Sequence, residues 1–196
     1  MQDIVFYSSE FNLSELAEKQ KLLGNTEVVL CRNFSDKELN ELKEKLKQSF
    51  PVKFFSCYLM LKNDSRELNS FKNKTDFIAV LGGNPCINNF AVSSKKIDFL
   101  IRPCAEGRLV FDTALARLSK ENNTKIIIPF SQFLGADSHK RISLTKNYAF
   151  LLKIAKKFKL NPGIVSFAES INELRSVEEL QEFKKFLEKK FEQVTE

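Results

Sequence analysis

The sequence predicts an α/β fold, a compact β/α barrel formed as one domain over residues 1–196. Three observations carry this. Short β-rich runs recur along the chain, helical patterns lie between them, and several of the runs are apolar nearly throughout. Strict alternation of β and α implies a parallel sheet with right-handed crossovers. Strands apolar on both sides belong to a sheet covered on both faces. A doubly wound sheet is the other such fold, but seven alternating strands favour a barrel, although 196 residues is short against the usual length of about 250. Hydrophobic residues make up 43 % and charged residues 29 %, which is globular rather than disordered composition.

The strand candidates are Ile4–Tyr7, Glu27–Cys31, Lys53–Leu59, Phe77–Leu81, Ile97–Ile101, Lys125–Phe130 and Gly163–Phe167. No eighth strand is evident. Leu13–Leu23 reads as the first helix. Asp36–Gln48 carries Leu39, Leu42 and Leu46 at helical spacing, with Ser35 or Asp36 as N-cap. Asp112–Lys120 carries Leu115 and Leu118. Arg141–Phe158 puts Tyr148, Leu151, Leu152, Ala155 and Phe158 on one face, and Val177–Glu192 closes the chain. No linker, repeat or low-complexity stretch divides it.

Composition excludes several kinds of chemistry. A single histidine, His139, rules out any site built from several histidines. Cys31, Cys57, Cys86 and Cys104 are widely spaced with no CxxC pair, which predicts reduced structural thiols. No apolar run approaches the roughly 18 residues of a membrane span, and MQDIVFYSSEF lacks a signal-peptide layout. The expectation is a cytoplasmic protein with no membrane contact. Formal net charge is +6, a moderate bias towards an anionic partner. That charge is uneven. From Ser138 to Ala168 there is no Asp or Glu, while Lys140, Arg141, Lys146, Lys153, Lys156, Lys157 and Lys159 all fall there. Such a run is either a solvated helix face or a surface that tracks phosphates.

Local motifs are weaker. Gly82-Gly83-Asn84-Pro85 follows an apolar strand but is neither GxGxxG nor a P-loop, so a turn with φ > 0 is the better reading. Asp137, Ser138 and His139 are consecutive, whereas a catalytic triad converges from separate segments. Asp137 or Ser138 reads as a helix cap. Acids near strand ends are too sparse to suggest a carboxylate metal site.

The stretch from Asp76 to Leu180 resembles a known family. Phe77-Ile78-Ala79-Val80-Leu81-Gly82-Gly83 and Ile87-Asn88-Asn89-Phe90-Ala91-Val92 are similar to a strand, a glycine pair and an Asn-Arg-Ala-Ala-Val motif. Ile97-Asp98-Phe99-Leu100, Pro103 and Gly107-Arg108 follow. Asp112-Thr113-Ala114-Leu115-Ala116-Arg117-Leu118 matches an Asp-His-Val-Leu-Ala-Arg-Leu helix. Arg141, Leu151–Phe158, Ile164-Val165-Ser166 and Glu173-Leu174-Arg175-Ser176 complete the order. The series resembles the ribonuclease P protein component 3 family, which includes the human thirty-kilodalton subunit.

This resemblance implies a TIM-barrel-like fold related to the polymerase-and-histidinol-phosphatase barrel. It implies an archaeal protein subunit of the endoribonuclease that removes the 5′ leader of precursor tRNA. Its partners would be ribonuclease P RNA and ribonuclease P protein component 2, in a heterotetramer with two copies of each protein. Other ribonuclease P proteins, and indirectly precursor tRNA, would also be partners. Mg2+ would be carried by the RNA subunit, with no cofactor bound by this chain and no catalytic or metal residues of its own. The RNA-binding candidates are Asn88, Arg108, Arg117, Arg141 and Arg175, with Lys140 and Arg102 added as local compensation. Compensation is needed because the family's second motif residue is Asn89 here and the second Arg of Arg-Ala-Arg is Ser143. Arg117 could instead pair with Asp98 or Asp112, Arg175 could anchor the last helix, and Ser166 is either a minor contact or packing. The nineteen Phe residues mostly fill the core, with some surface rings left for a protein partner. Alternatives from other classes are a free-standing metal-dependent phosphoesterase and a purely protein-binding scaffold.

Overall fold

The computed structural model describes residues 2–8, 11–105 and 108–192. The elements run β1 (Gln2–Phe6), α1 (Leu13–Leu22), β2 (Glu27–Arg32), α2 (Asp36–Lys45), β3 (Lys53–Met60), α3 (Ser65–Phe71), β4 (Phe77–Leu81), α4 (Pro85–Ser93) and β5 (Phe99–Ile101). A short antiparallel pair follows, β6 (Cys104–Ala105) and β7 (Arg108–Leu109). Then come α5 (Thr113–Asn122), β8 (Lys125–Pro129), α6 (Ser131–Leu134), α7 (Ser138–Lys157), β9 (Gly163–Val165) and α8 (Val177–Glu192).

Seven strands form one parallel sheet in the order β1-β2-β3-β4-β5-β8-β9. The sheet curls until its edges meet. Phe167 N donates to Ile4 O at 2.8 Å and Phe6 N to Ala168 O at 3.1 Å, so β1 and the end of β9 close a seven-stranded barrel with no eighth strand between them. The expected barrel and all seven expected strands are therefore present.

The period-2 alternation of each strand explains why both faces are apolar. Ile4, Val29, Cys31, Cys57, Leu59, Ala79, Phe99, Ile101, Ile127 and Val165 form one buried cluster inside the barrel. Their chain neighbours, such as Val5, Leu30, Tyr58, Ile78, Leu100, Ile126 and Ile164, point outward against the helices. Cys31 and Cys57 are register partners whose sulfurs lie 3.5 Å apart as thiols, and burial pushes the Cys57 thiol well up. Gly163 fits the same packing closely, since a Cβ there would sit 3.1 Å from the Ile127 side-chain end and make it shift slightly.

Helix starts follow local chemistry. Ser35 caps α2 reciprocally with Glu38, Asp112 caps α5 and Asp137 caps α7. Helix α7 starts three residues earlier than its apolar stripe predicts, because Asp137 and not the stripe sets the start. Three helices, α3, α4 and α6, and the β6–β7 pair are additions to the sequence reading. Helix α3 buries only Leu68, so it has no periodic stripe to read. Helix α4 is nine residues long and starts on Asn84-Pro85, inside the motif read as a turn. Gly83 has φ of 103°, as that turn requires.

Asp3 ties the seam. Its Oδ1 accepts from Ile4 N at 2.9 Å and from Ser166 N at 2.8 Å, and its Oδ2 accepts from Gln20 Nε2 at 3.0 Å. Gln20 is fixed in turn by Asn25 Nδ2, at 2.8 Å. The carboxyl is buried, and that burial pushes it above the usual carboxylate range, with the bonds from Gln20, Ser166 and Ile4 pulling it part-way back. Asp3→Ala should orphan buried donors from three residues and cost about 3 kcal/mol, read as a lower denaturant midpoint. A carboxyl raised in the fold costs stability as pH rises from its unfolded pKa through its folded one. The stability of wild type relative to Asp3→Asn should therefore improve as pH falls through that window. A difference independent of pH would refute the linkage.

Candidate nucleic-acid interface

Helix α7 buries Leu144, Tyr148, Leu151, Leu152 and Ala155 against the barrel, as its stripe predicts. Lys140, Lys146, Lys153, Lys156 and Lys157 are exposed. With no acid in the helix, its outer surface is a row of cations over twenty residues. His139 lies exposed in the first turn. The backbone N–H of Lys140 donates to the Asp137 cap at 2.9 Å, so its charge sits at the start of the helix. Arg141 has a structural duty as well. Its Nε donates to Phe133 O at 2.9 Å and its Nη2 to Leu134 O at 3.3 Å, which satisfies the last carbonyls of α6.

The β6–β7 pair packs on α7. Arg108 is exposed on β7, in the region after β5, and Leu109 lines the same groove as Arg141 and Lys146. The fold thus brings Arg108 beside the first half of α7. That groove, of about 640 Å³, lies between α7 and α8. Its apolar walls include Ile142, Phe150 and Phe186, the last two being Phe residues that escape the core.

The other expected RNA contacts lie elsewhere. Arg117 is exposed on α5, because Leu115, Ala116 and Ser119 face inward. It has no ion pair with Asp98 or Asp112 among the described residues. Asp98 accepts from Ile78 N and pairs with Lys72, and Asp112 caps α5. Asn88 is a correction. Its side chain is fully buried, with Oδ1 accepting from Gly83 N at 3.0 Å and Nδ2 donating to Pro103 O and Val110 O, both at 2.8 Å. It clasps the β4 and β5 loops and presents nothing to RNA. Gly82 exists for this clasp, since a Cβ would lie 2.4 Å from Asn88 Oδ1. Arg175 takes the anchoring role. Its Nη1 donates to Asn172 O and Leu174 O, and its guanidinium lies 5.4 Å from the centre of the Phe130 ring. Ser166 is buried, binding Asp3 and accepting from Arg175 N, so it is packing.

Arg102 points to a second region. It follows β5 at the mouth formed by the C-terminal strand ends, where catalytic groups of such barrels sit. The mouth is a cavity of about 690 Å³. Phe6, Leu59, Leu61, Leu81, Pro129 and Phe167 supply its apolar lining, and Glu169 and Glu173 are the carboxylates among its described residues. Among the described residues no group of three His, Cys, Asp or Glu side chains could share a metal ion. Arg32 and Gln132 also line the mouth, and neither stands out in the sequence. Arg32 ends an ordinary strand. Gln132 belongs to a four-residue helix too short to show a period. Among the described residues no helix is long and apolar enough to cross a membrane.

Comparison with known proteins agrees with this arrangement. A family model described as RNase P subunit p30 matches residues 4–196. Ribonuclease P protein component 3 of Methanothermobacter thermautotrophicus is 31 % identical over 112 residues, which is 57 % of this chain and 46 % of that protein. The component 3 protein of Methanococcoides burtonii is 28 % identical over 169 residues, covering 85 % and 69 %. The chain thus spans less than half the length of the first of these relatives and about two thirds of the second. The fold also matches a chain in the cryo-EM structure of archaeal ribonuclease P with mature tRNA. The TM-score is 0.77 at 25 % identity, over 96 % of this chain and 83 % of that one. With nearly the whole length under one family model and the expected barrel in place, the chain belongs to the RNase P subunit p30 family.

Proposed function

We propose that this chain is a protein subunit of archaeal ribonuclease P and assists its RNA in removing the 5′ leader of precursor tRNA. The carrying observation is the acid-free helix α7, with its row of exposed lysines beside Arg108, on a barrel of this family. Closely spaced phosphates of folded RNA repel one another. Fixed cations at helical spacing neutralise several at once and release condensed counterions. The exposed arginines add planar donors that can take a phosphate with two hydrogen bonds. By lowering repulsion within the RNA, the subunit would reduce the Mg2+ the RNA needs. The hydrolysis would belong to the RNA and its metal ions, as the resemblance implies.

For the protein partner, component 2, we assign the groove between α7 and α8. Ile142, Phe150 and Phe186 give it an apolar centre, and Arg141, Lys146 and Lys190 give it a basic rim. Exposed apolar patches framed by polar groups are common at protein contacts. Because the rim is continuous with the basic face, the partner and the RNA would be bound side by side, in the two-plus-two assembly that the resemblance implies.

Reconstitution tests this directly. Adding the chain to a ribonuclease P RNA and component 2 should raise precursor tRNA cleavage at low Mg2+. No gain from the folded protein would refute the proposal. Replacing Lys140 and Lys146 together with Ala should lower the slope of log affinity against log salt by about 1 to 2. Arg141 is left intact in that variant because its loss would also loosen α6. An unchanged slope would exclude the α7 patch. Ile142→Asp with Phe186→Asp should weaken component 2 binding at least tenfold, about 1.4 kcal/mol. That variant should keep wild-type circular dichroism and RNA affinity.

A further inference from the structure

We propose that the barrel mouth is a binding site for a single nucleotide unit, held by its phosphate on Arg102 and Gln132 and by its base against Phe6 and Phe167. The cavity, at about 690 Å³, lies within the roughly 300–1,000 Å³ range of small-molecule sites. Among the described residues, two that line it each carry a buried donor without a partner, Arg102 Nε and Gln132 Nε2. Leaving a buried donor unpaired is costly, and native proteins seldom do so without a functional reason. Arg102 directly follows β5, and Gln132 lies on α6, just after the neighbouring strand β8.

Each is held in place. Arg102 has φ of 57°, a left-handed conformation that a bulky side chain seldom adopts, and its N–H is fixed to Ile127 O at 3.0 Å. Backbone strain of this kind collects at ligand clamps. Gln132 is oriented by Tyr148, whose hydroxyl donates to Oε1 at 2.5 Å and so leaves the amide nitrogen as the free end. A phosphate accepts several hydrogen bonds and would satisfy both donors.

The rest of the rim fits the remainder of a nucleotide. Phe6 and Phe167 meet edge to face, 5.8 Å between ring centres, and offer the apolar surface on which bases are held. Glu169 and Glu173 are anions, so the phosphate belongs at the Arg102 end, while their oxygens can accept from ribose hydroxyls or base amino groups. Glu173 Oε2 already accepts from Glu169 N at 2.9 Å, which holds it in place. Arg32, across the mouth, is held by Glu38 at 3.2 Å, so its charge is offset there and the phosphate falls to Arg102. The nucleotide could be free or an unpaired residue of an RNA strand. The strand form rests on the RNA-binding reading above, and the free form stands without it.

The test is titration of the purified chain with adenosine 5′-monophosphate, followed by nuclear magnetic resonance. The Gln132 side-chain amide and the Arg102 Nε–H signals should shift, and adenosine or inorganic phosphate should each bind at least tenfold more weakly. Gln132→Glu keeps the acceptor for Tyr148 but sets a carboxylate against the phosphate, and should weaken binding at least tenfold. Arg102→Gln should do the same, and the wild-type shifts decide the matter if either variant unfolds. Single-stranded RNA that displaces the monophosphate, where duplex RNA does not, would assign the strand form. A monophosphate that stays bound against both would assign the free form. Silent Gln132 and Arg102 signals, or adenosine or phosphate binding as tightly as the monophosphate, would overturn the proposal. Loss of the α7 lysines leaves this site untouched, so the two readings fail separately.

Discussion

A seven-stranded parallel barrel has a seam, and here one buried carboxylate governs it. Asp3 enters on β1 and collects donors from its own strand, from Ser166 beyond β9 and from Gln20 on α1. Without an eighth strand the edges must meet directly, and every unpaired backbone group there would be buried. The carboxylate has more acceptor sites than a backbone carbonyl, so it serves several donors at once. Burial opposes its charge, and the hydrogen bonds repay part of that opposition. The adjacent bond from Arg175 N to Ser166 Oγ links the same seam to the loop that launches α8.

Closure has a functional consequence at the mouth. Strand ends are brought round in a ring, so residues far apart in the chain, Phe6, Arg32, Arg102, Gln132 and Phe167, share one cavity. Among the described residues that ring holds Arg32 and Arg102 together with Glu169 and Glu173.

The basic helix works on a different scale. Its exposed lysines act through their summed field. The Arg141 guanidinium is engaged with α6 carbonyls. Arginines that looked alike in the sequence therefore divide. Arg108 and Arg117 are exposed surface charges, Arg175 and Arg141 hold loops, and Arg102 lines the mouth.

Much of this was legible beforehand. The seven strands were readable because each must be apolar on both faces, and α7 because one stripe of Tyr148, Leu151, Leu152 and Ala155 repeats at helical spacing. The charge distribution and the lone histidine are properties of the chain itself, and they bounded the chemistry without coordinates. The short elements were not legible, since α3 and α6 are too brief to show a period. Nor was the duty of Asn88. A motif asparagine reads alike whether it meets a ligand or three backbone groups, and only the approach of the β4 and β5 loops decides between them. The sequence determined which segments form strands and helices, because periodicity is local. Tertiary structure decided which polar residues stay free for a partner, because that depends on what closure of the barrel places beside each one.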